Sequence, residues 1–233
     1  MGWSGLRRSD AGPRSLLGVQ DMLARYVAAV VAMVAVVAAS NLLVQYPVQL
    51  VLGPVDLSSI LTWGAFSYPV AFLVTDLSNR HFGPNGARLV VVAGFVVAVA
   101  LSVVLATPRI AIASGSAFIV AQFLDISIFD RLRRGRWWHA PLFSSLVSSA
   151  LDTAIFFSLA FSGRFAGLDT LFGVKDGSLD FAAPFLSLGP EVPLWVSLAA
   201  GDFLVKLLLA GLCLAPYGSL LRFLADRTTW VRA

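Results

Sequence analysis

Asp202 and Lys206 stand four residues apart inside an apolar run, GDFLVKLLLAGLCLA, and Asp152 sits inside another, SSALDTAIFFSLAF. At helical spacing a carboxylate and an ammonium four apart share one face. Such a pair can neutralise itself and brace a helix bundle, or hold charge where a ligand meets it. Asp152 has no cation within a turn of its own helix. Either Lys206 reaches it from across a bundle, or it carries a proton, or it meets a ligand. An ionisable group deep in a membrane costs about 2.5–3.5 kcal/mol on insertion scales, so it normally faces the bundle interior or a wet cavity.

Neutral polar residues add to this set. Gln122 lies on a stripe with Ser114 and Asp125, and Asn41 precedes Gln45 and Gln49 in a further apolar run. Both amides are read equally as ligand contacts or as interhelical hydrogen bonds, worth about 0.6 kcal/mol on average. The stretch TWGAFSYPVAFLVTDLSNRHFG brings Trp63 and Phe66, then Pro69, then Asp76 and Arg80 four residues apart. Its aromatics offer stacking surfaces, Pro69 is expected to kink the helix, and Asp76 with Arg80 reads as an anchor or gate at the inner membrane edge. Phe156 follows Asp152 by one helical turn.

Other chemistries find no footing in the sequence. His81 and His139 have no second histidine or cysteine at metal-ligand spacing, and Cys213 is the single cysteine. There is no Gly-x-Ser-x-Gly elbow and no Walker loop. No catalytic residue, metal site or cofactor is therefore expected, and the chain does not read as an enzyme.

The elements that position these groups follow from composition. The 233 residues are 58% hydrophobic and only 13% charged, with a mean hydropathy of +0.83. A soluble domain usually carries about 25% charged residues, so this chain belongs in a bilayer. Six apolar stretches, near 24–46, 59–78, 88–107, 109–129, 140–161 and 193–215, are long enough to cross about 30 Å of hydrocarbon. Thirteen of the 17 lysines and arginines fall on one side of that topology, three on the other, and Lys206 lies within a span. Positive residues collect on the cytoplasmic side. The expected architecture is an all-α membrane protein with six transmembrane helices and both termini cytoplasmic, in the plasma (inner) membrane. The net charge of +4 follows from this arrangement and needs no nucleic-acid partner. RLRRGRWW at 131–138 reads as an inner-leaflet anchor with belt tryptophans.

A disordered cytoplasmic tail is expected over 1–20, the membrane domain over 21–225, and a short cytoplasmic tail over 226–233. The external loop at 162–192 mixes turn signals with Phe165, Phe172, Phe181 and Phe185, which suits a segment folded over the outer face.

TWGAFSYPVAFLVTDLSNRHFG followed by Ala87-Arg88, with SNLL at 40–43, QFLDISIFDRLR at 122–133, SSALDTAIFF at 148–157 and GDFLVK at 201–206, resembles the queuosine precursor transporter family, also called the vitamin uptake transporter family. The resemblance covers about residues 24–225. It implies uptake of a 7-deazaguanine, such as 7-cyano-7-deazaguanine or a queuine-type base. On that implication Asp152 or Asp202 would accept the N1–H and exocyclic amine of a guanine-like edge, with Lys206 keeping the carboxylates ionised. Gln122 and Asn41 would satisfy O6 and the ring nitrogens, and Trp63, Phe66 or Phe156 would stack on the flat ring. The partners implied are that small molecule and the bilayer, with a homodimer left open. The alternative is the substrate-binding subunit of an energy-coupling-factor importer, which needs separate ATPase subunits. Ala28, Ala32 and Ala35 would offer such partners a small-residue surface.

Overall fold

The computed structural model describes residues 13–43, 46–53, 55–57, 61–67 and 69–229. Its long elements are helices: α1 (Pro13–Leu43), α3 (Pro69–Leu105), α4 (Pro108–Leu132), α5 (His139–Phe161) and α7 (Leu194–Thr229). Between them lie the short α2 (Gly64–Ser67) and α6 (Gly167–Leu171). Two small antiparallel ribbons join β1 (Val51–Leu52) to β2 (Val55–Asp56) and β3 (Ala182–Pro184) to β4 (Glu191–Pro193). Of the expected tails, residues 1–12 and 230–233 lie outside the described residues, whereas 13–20 and 226–229 are helical.

Among the described residues five helices are long and apolar enough to cross a membrane: Val19–Leu43, Gly64–Leu105, Pro108–Leu132, His139–Phe161 and Leu194–Leu221. The stretches expected near 59–78 and 88–107 fall together in the second of these, a segment of 42 residues. Straight, the 37 residues of α3 would run about 55 Å, well beyond a hydrocarbon core. It is not straight. Gly83 breaks it with φ 76° and ψ 178°, a region of backbone space essentially reserved for glycine, and Pro84 follows at once. Two contacts with α4 show that the chain folds back there. Thr75 Oγ1 donates to Gln122 Oε1 at 2.6 Å, and Gly94 packs on Phe118, one turn of α4 away. Nineteen residues of unbroken helix would set Thr75 and Gly94 about 28 Å apart.

Local signals set the other boundaries. Pro69 stands at the first position of α3 rather than inside a helix it would kink, and there its missing N–H costs nothing. Thr107 caps α4 by accepting from the Ile110 N–H, with Pro108 at the first helical position. This is the tight turn that separates the second arm of α3 from α4.

The apolar core joins Met33 and Val37 of α1 to Ala71, Ala87, Val90, Val91 and Ala98 of α3 and to Phe118 and Ile126 of α4. Gly94 makes the α1 contact: a Cβ there would fall 2.6 Å from Met33 Cγ. The opposite flank of the second α3 arm exposes Leu89, Val96 and Val103, as a lipid-facing helix would. α4, α5 and α7 pack in succession beside it, and the first arm of α3 closes against α5 and α7.

A membrane cleft built around Lys206

Lys206 is buried on α7, one turn after Asp202. Its Nζ lies 2.7 Å from Asp152 Oδ2 on α5 and 2.5 Å from Asp202 Oδ2. Thr153 completes the network: Lys206 Nζ donates to Thr153 Oγ1 at 3.0 Å, and the threonine hydroxyl donates to Asp202 Oδ2 at 2.7 Å. The i,i+4 pair on α7 and the reach across to Asp152 thus occur together. Two carboxylates share one ammonium, so with all three groups charged the network holds one net negative charge. These bonds join side chain to side chain. The arrangement can exchange partners without disturbing a helix.

Lys206 also lines a cleft between the first arm of α3, α5 and α7, together with Phe72, Asp76, Ser149, Cys213 and Tyr217. Its void is about 20 Å³, room for about one water. Sites for small organic ligands run to hundreds of Å³. The helices are closed on this cleft, and a ligand entering it must part them.

At the other end of the cleft Asp76 does not pair with Arg80, and no ion pair joins the two among the described residues. Asp76 instead accepts from Ser144 Oγ at 3.3 Å and meets the carboxyl of Asp125 on α4. Arg80 turns away. Its Nε donates to the Tyr217 hydroxyl at 3.1 Å, its Nη1 to the Arg133 carbonyl at 2.8 Å, and the guanidinium lies 5.3 Å from the centre of the Phe129 ring. Arg80 thereby ties α3 to the ends of α4 and α7.

The remaining candidates divide. Phe66 packs in a small cluster with Val48, Leu61, Ala65 and Val205, the neighbour of Lys206. Trp63 is half exposed and tilted against Phe66 at 5.7 Å. Phe156, one turn past Asp152, meets Phe157 and Phe161 edge-on at 5.1 and 5.9 Å. Gln122 accepts from Thr75, and its Nε2 is buried without a hydrogen-bond partner among the described residues. Asn41 bridges helices, donating to the Val37 carbonyl at 3.0 Å and accepting from Ser102 at 3.3 Å. Sequence reading did not select Thr153, Phe72, Tyr217 or Ser144, since a lone hydroxyl or aromatic residue in a span carries no spacing signal. Asp125 was marked by its stripe with Gln122 but not chosen.

The 162–192 loop is ordered around another buried cation. Arg109, at the start of α4, donates to Asp169 Oδ2 at 2.6 Å, to the Leu159 carbonyl at 2.8 Å, to Ser178 Oγ at 3.1 Å and to the Ser162 carbonyl. Asp180 receives the Trp195 indole N–H at 2.8 Å and the Gly163 N–H. The 162–192 segment is therefore a packed cap on one end of the bundle.

Comparison with known proteins agrees with this picture. A family model described as a putative vitamin uptake transporter matches residues 62–107 and 101–220. The chain is 32% identical over 214 residues to the queuosine precursor transporter of Escherichia coli (strain K12), covering 82% of this chain and 84% of that protein. It is 32% identical over 214 residues to a probable queuosine precursor transporter of Haemophilus influenzae, covering 80% and 82%. A Bacillus subtilis probable queuosine precursor transporter is 30% identical over 130 residues, 44% of this chain. No solved structure matches. With its helices, its buried polar cleft and these relatives, the chain belongs to the vitamin uptake transporter family of multi-pass cell-membrane proteins.

Proposed function

We propose that this protein imports a queuosine precursor, a 7-deazaguanine such as 7-cyano-7-deazaguanine, through the cleft beside Lys206. The observation that carries the proposal is the Asp152–Thr153–Asp202–Lys206 network, buried within two apolar helices and open to a cleft. Transporters place their sites near the bilayer midplane at this kind of junction. The names printed for the relatives supply the substrate class. A guanine-like edge offers two donors in a row, which one carboxylate accepts together. Asp152 or Asp202 would take that edge while Lys206 stays with the other, so the ligand's two donors replace the ammonium contact and the released carboxylate stays hydrogen-bonded. Phe66 and Phe156 would flank the ring, and Trp63 would close over it from its half-exposed position. Gln122 has a free amide donor for a ring acceptor.

The second arm of α3, from Pro84 to Leu105, is long enough to span; the first arm, ending at the Gly83 break, would span only together with the α2 segment before it, and six crossings are the reading this supports. The arginine bias then puts both termini in the cytoplasm and the 162–192 cap outside.

Uptake of labelled 7-cyano-7-deazaguanine into vesicles holding this chain alone tests the proposal. Saturable uptake, competed by unlabelled deazaguanines and not by adenine, is expected. Uptake only when ATPase subunits are added would make the chain the binding subunit of an energy-coupling importer. No binding of any deazapurine would withdraw the substrate.

A further inference from the structure

Asp76 and Asp125 are both buried, at 2% and 0% exposure, and their carboxyls are in hydrogen-bonding contact. Carboxylates only accept. Two of them in direct contact away from water cannot both be ionised, and a single shared proton resolves the contact. Ser144 is the one hydroxyl that neighbours both carboxyls, and both carboxyl oxygens of Asp125 are buried without a close hydrogen bond among the described residues. The Ser144 hydroxyl has one proton to give, and it points to Asp76. Nor does a cation fill the gap. Arg80 spends its guanidinium on Tyr217, Arg133 and Phe129, and Lys206, at the far end of the cleft, is held by Asp152 and Asp202. Tyr217 is the remaining titratable group facing the pair from α7.

We infer that Asp76 and Asp125 form a proton-binding site, a carboxyl pair holding one exchangeable proton at the end of the cleft that Lys206 lines. Asp76 lies on the cleft wall beside a void large enough for a water, which gives the proton a way in and out. Asp125 lies behind it on α4, and the pair bridges the first arm of α3 to α4. Opening the cleft would wet Asp76, separate it from Asp125 and release the proton; closing would take it back. Taken with the transport reading, on which this last step rests, the pair couples the cleft's movement to proton flow.

Infrared difference spectroscopy on the full-length chain in lipid vesicles reads the carbonyl stretch of a protonated carboxyl without any substrate. A protonated-carboxyl band is expected at neutral pH, indifferent to sodium, changed in both Asp76→Asn and Asp125→Asn and kept in Asp152→Asn. No such band in the wild type, a band unchanged in either variant of the pair, or a band removed by sodium would overturn the site. Uptake of 7-cyano-7-deazaguanine under an imposed pH gradient reads the coupling. Accumulation of about tenfold per pH unit is expected for one proton moved per substrate. In Asp125→Asn, gradient-driven accumulation should vanish while exchange across the membrane continues. Accumulation that ignores the gradient in the wild type would overturn the coupling. If no deazaguanine moves at all, the substrate reading fails, and the infrared band still decides the proton site.

Discussion

Arg109 and Lys206 are both buried cations, each within reach of two carboxylates, yet they are held in opposite ways. Arg109 is fixed by backbone: the carbonyls of Leu159 and Ser162 take two of its donors, and Asp169 and Ser178 take others. Its position is set by where α5 ends, and moving it would unmake the cap. Lys206 is held by the side chains of Asp152, Thr153 and Asp202. Those can rotate while α5 and α7 stay in place. A guanidinium, with its rigid fork of donors, suits the first task, and a compact ammonium on a flexible stem suits the second. The comparison teaches that burial and charge alone do not tell a structural ion pair from one placed for function; the proposed site at Lys206 differs from Arg109 in being held by side chains beside a cleft.

Variants at both cations, and one acid condition, test that contrast in falling order of effect. Arg109→Ala should destabilise most, by about 3–5 kcal/mol, because it strands a buried carboxylate; thermal unfolding in detergent measures it. Arg109→Lys should recover only part of the loss, and full recovery would break the contrast, since it would show that charge without fork geometry suffices. Lys206→Ala strands two carboxylates and should cost about as much, but here Asp152→Asn added to it should restore most of the stability in a double-mutant cycle. A loss that no carboxylate neutralisation relieves would make Lys206 as structural as Arg109. Asp202→Asn should change stability little, about 1 kcal/mol, since the amide still accepts from Thr153, while lowering deazaguanine uptake at least about tenfold. The smallest effect concerns Asp176, exposed and 3.5 Å from Arg109. The Ser178 hydroxyl and N–H hold its carboxyl below the ordinary range, with Arg109 adding to the effect. Its depressed value means that the stabilisation is complete above the unfolded value near 4 and is lost as pH falls below that. Hydrogen exchange in the 162–192 cap should quicken slightly only in that acid range, with no matching change around Lys206.

Sequence reading found the Lys206 network because charge inside an apolar span is conspicuous. Asp152, Asp202 and Lys206 stand out by composition, and helical spacing pairs two of them. Hydropathy marked six apolar stretches, and two of them, near 59–78 and 88–107, fall together in the one segment Gly64–Leu105. Thr153 escaped because a threonine in a span is ordinary until its neighbours are known. Asp76 and Arg80 suggested a pair by spacing, and tertiary contacts overrode it: the carboxyl found Asp125 and the guanidinium found Tyr217 and backbone carbonyls. Arg109 was counted only as a charge on one side, because nothing in the sequence says that the loop 60 residues later folds back onto it. Local spacing predicts partners within one helix; between helices the partner is decided by packing.

The most direct test of the central claim is calorimetric titration of 7-cyano-7-deazaguanine into the purified protein, with Asp152→Asn and Arg109→Lys beside it. Each variant is first shown to be folded by its thermal transition. The account predicts saturable binding to the wild type, weakened at least about tenfold in Asp152→Asn and unaltered in the folded fraction of Arg109→Lys. Binding undiminished in Asp152→Asn would contradict it and take the substrate away from the Lys206 network.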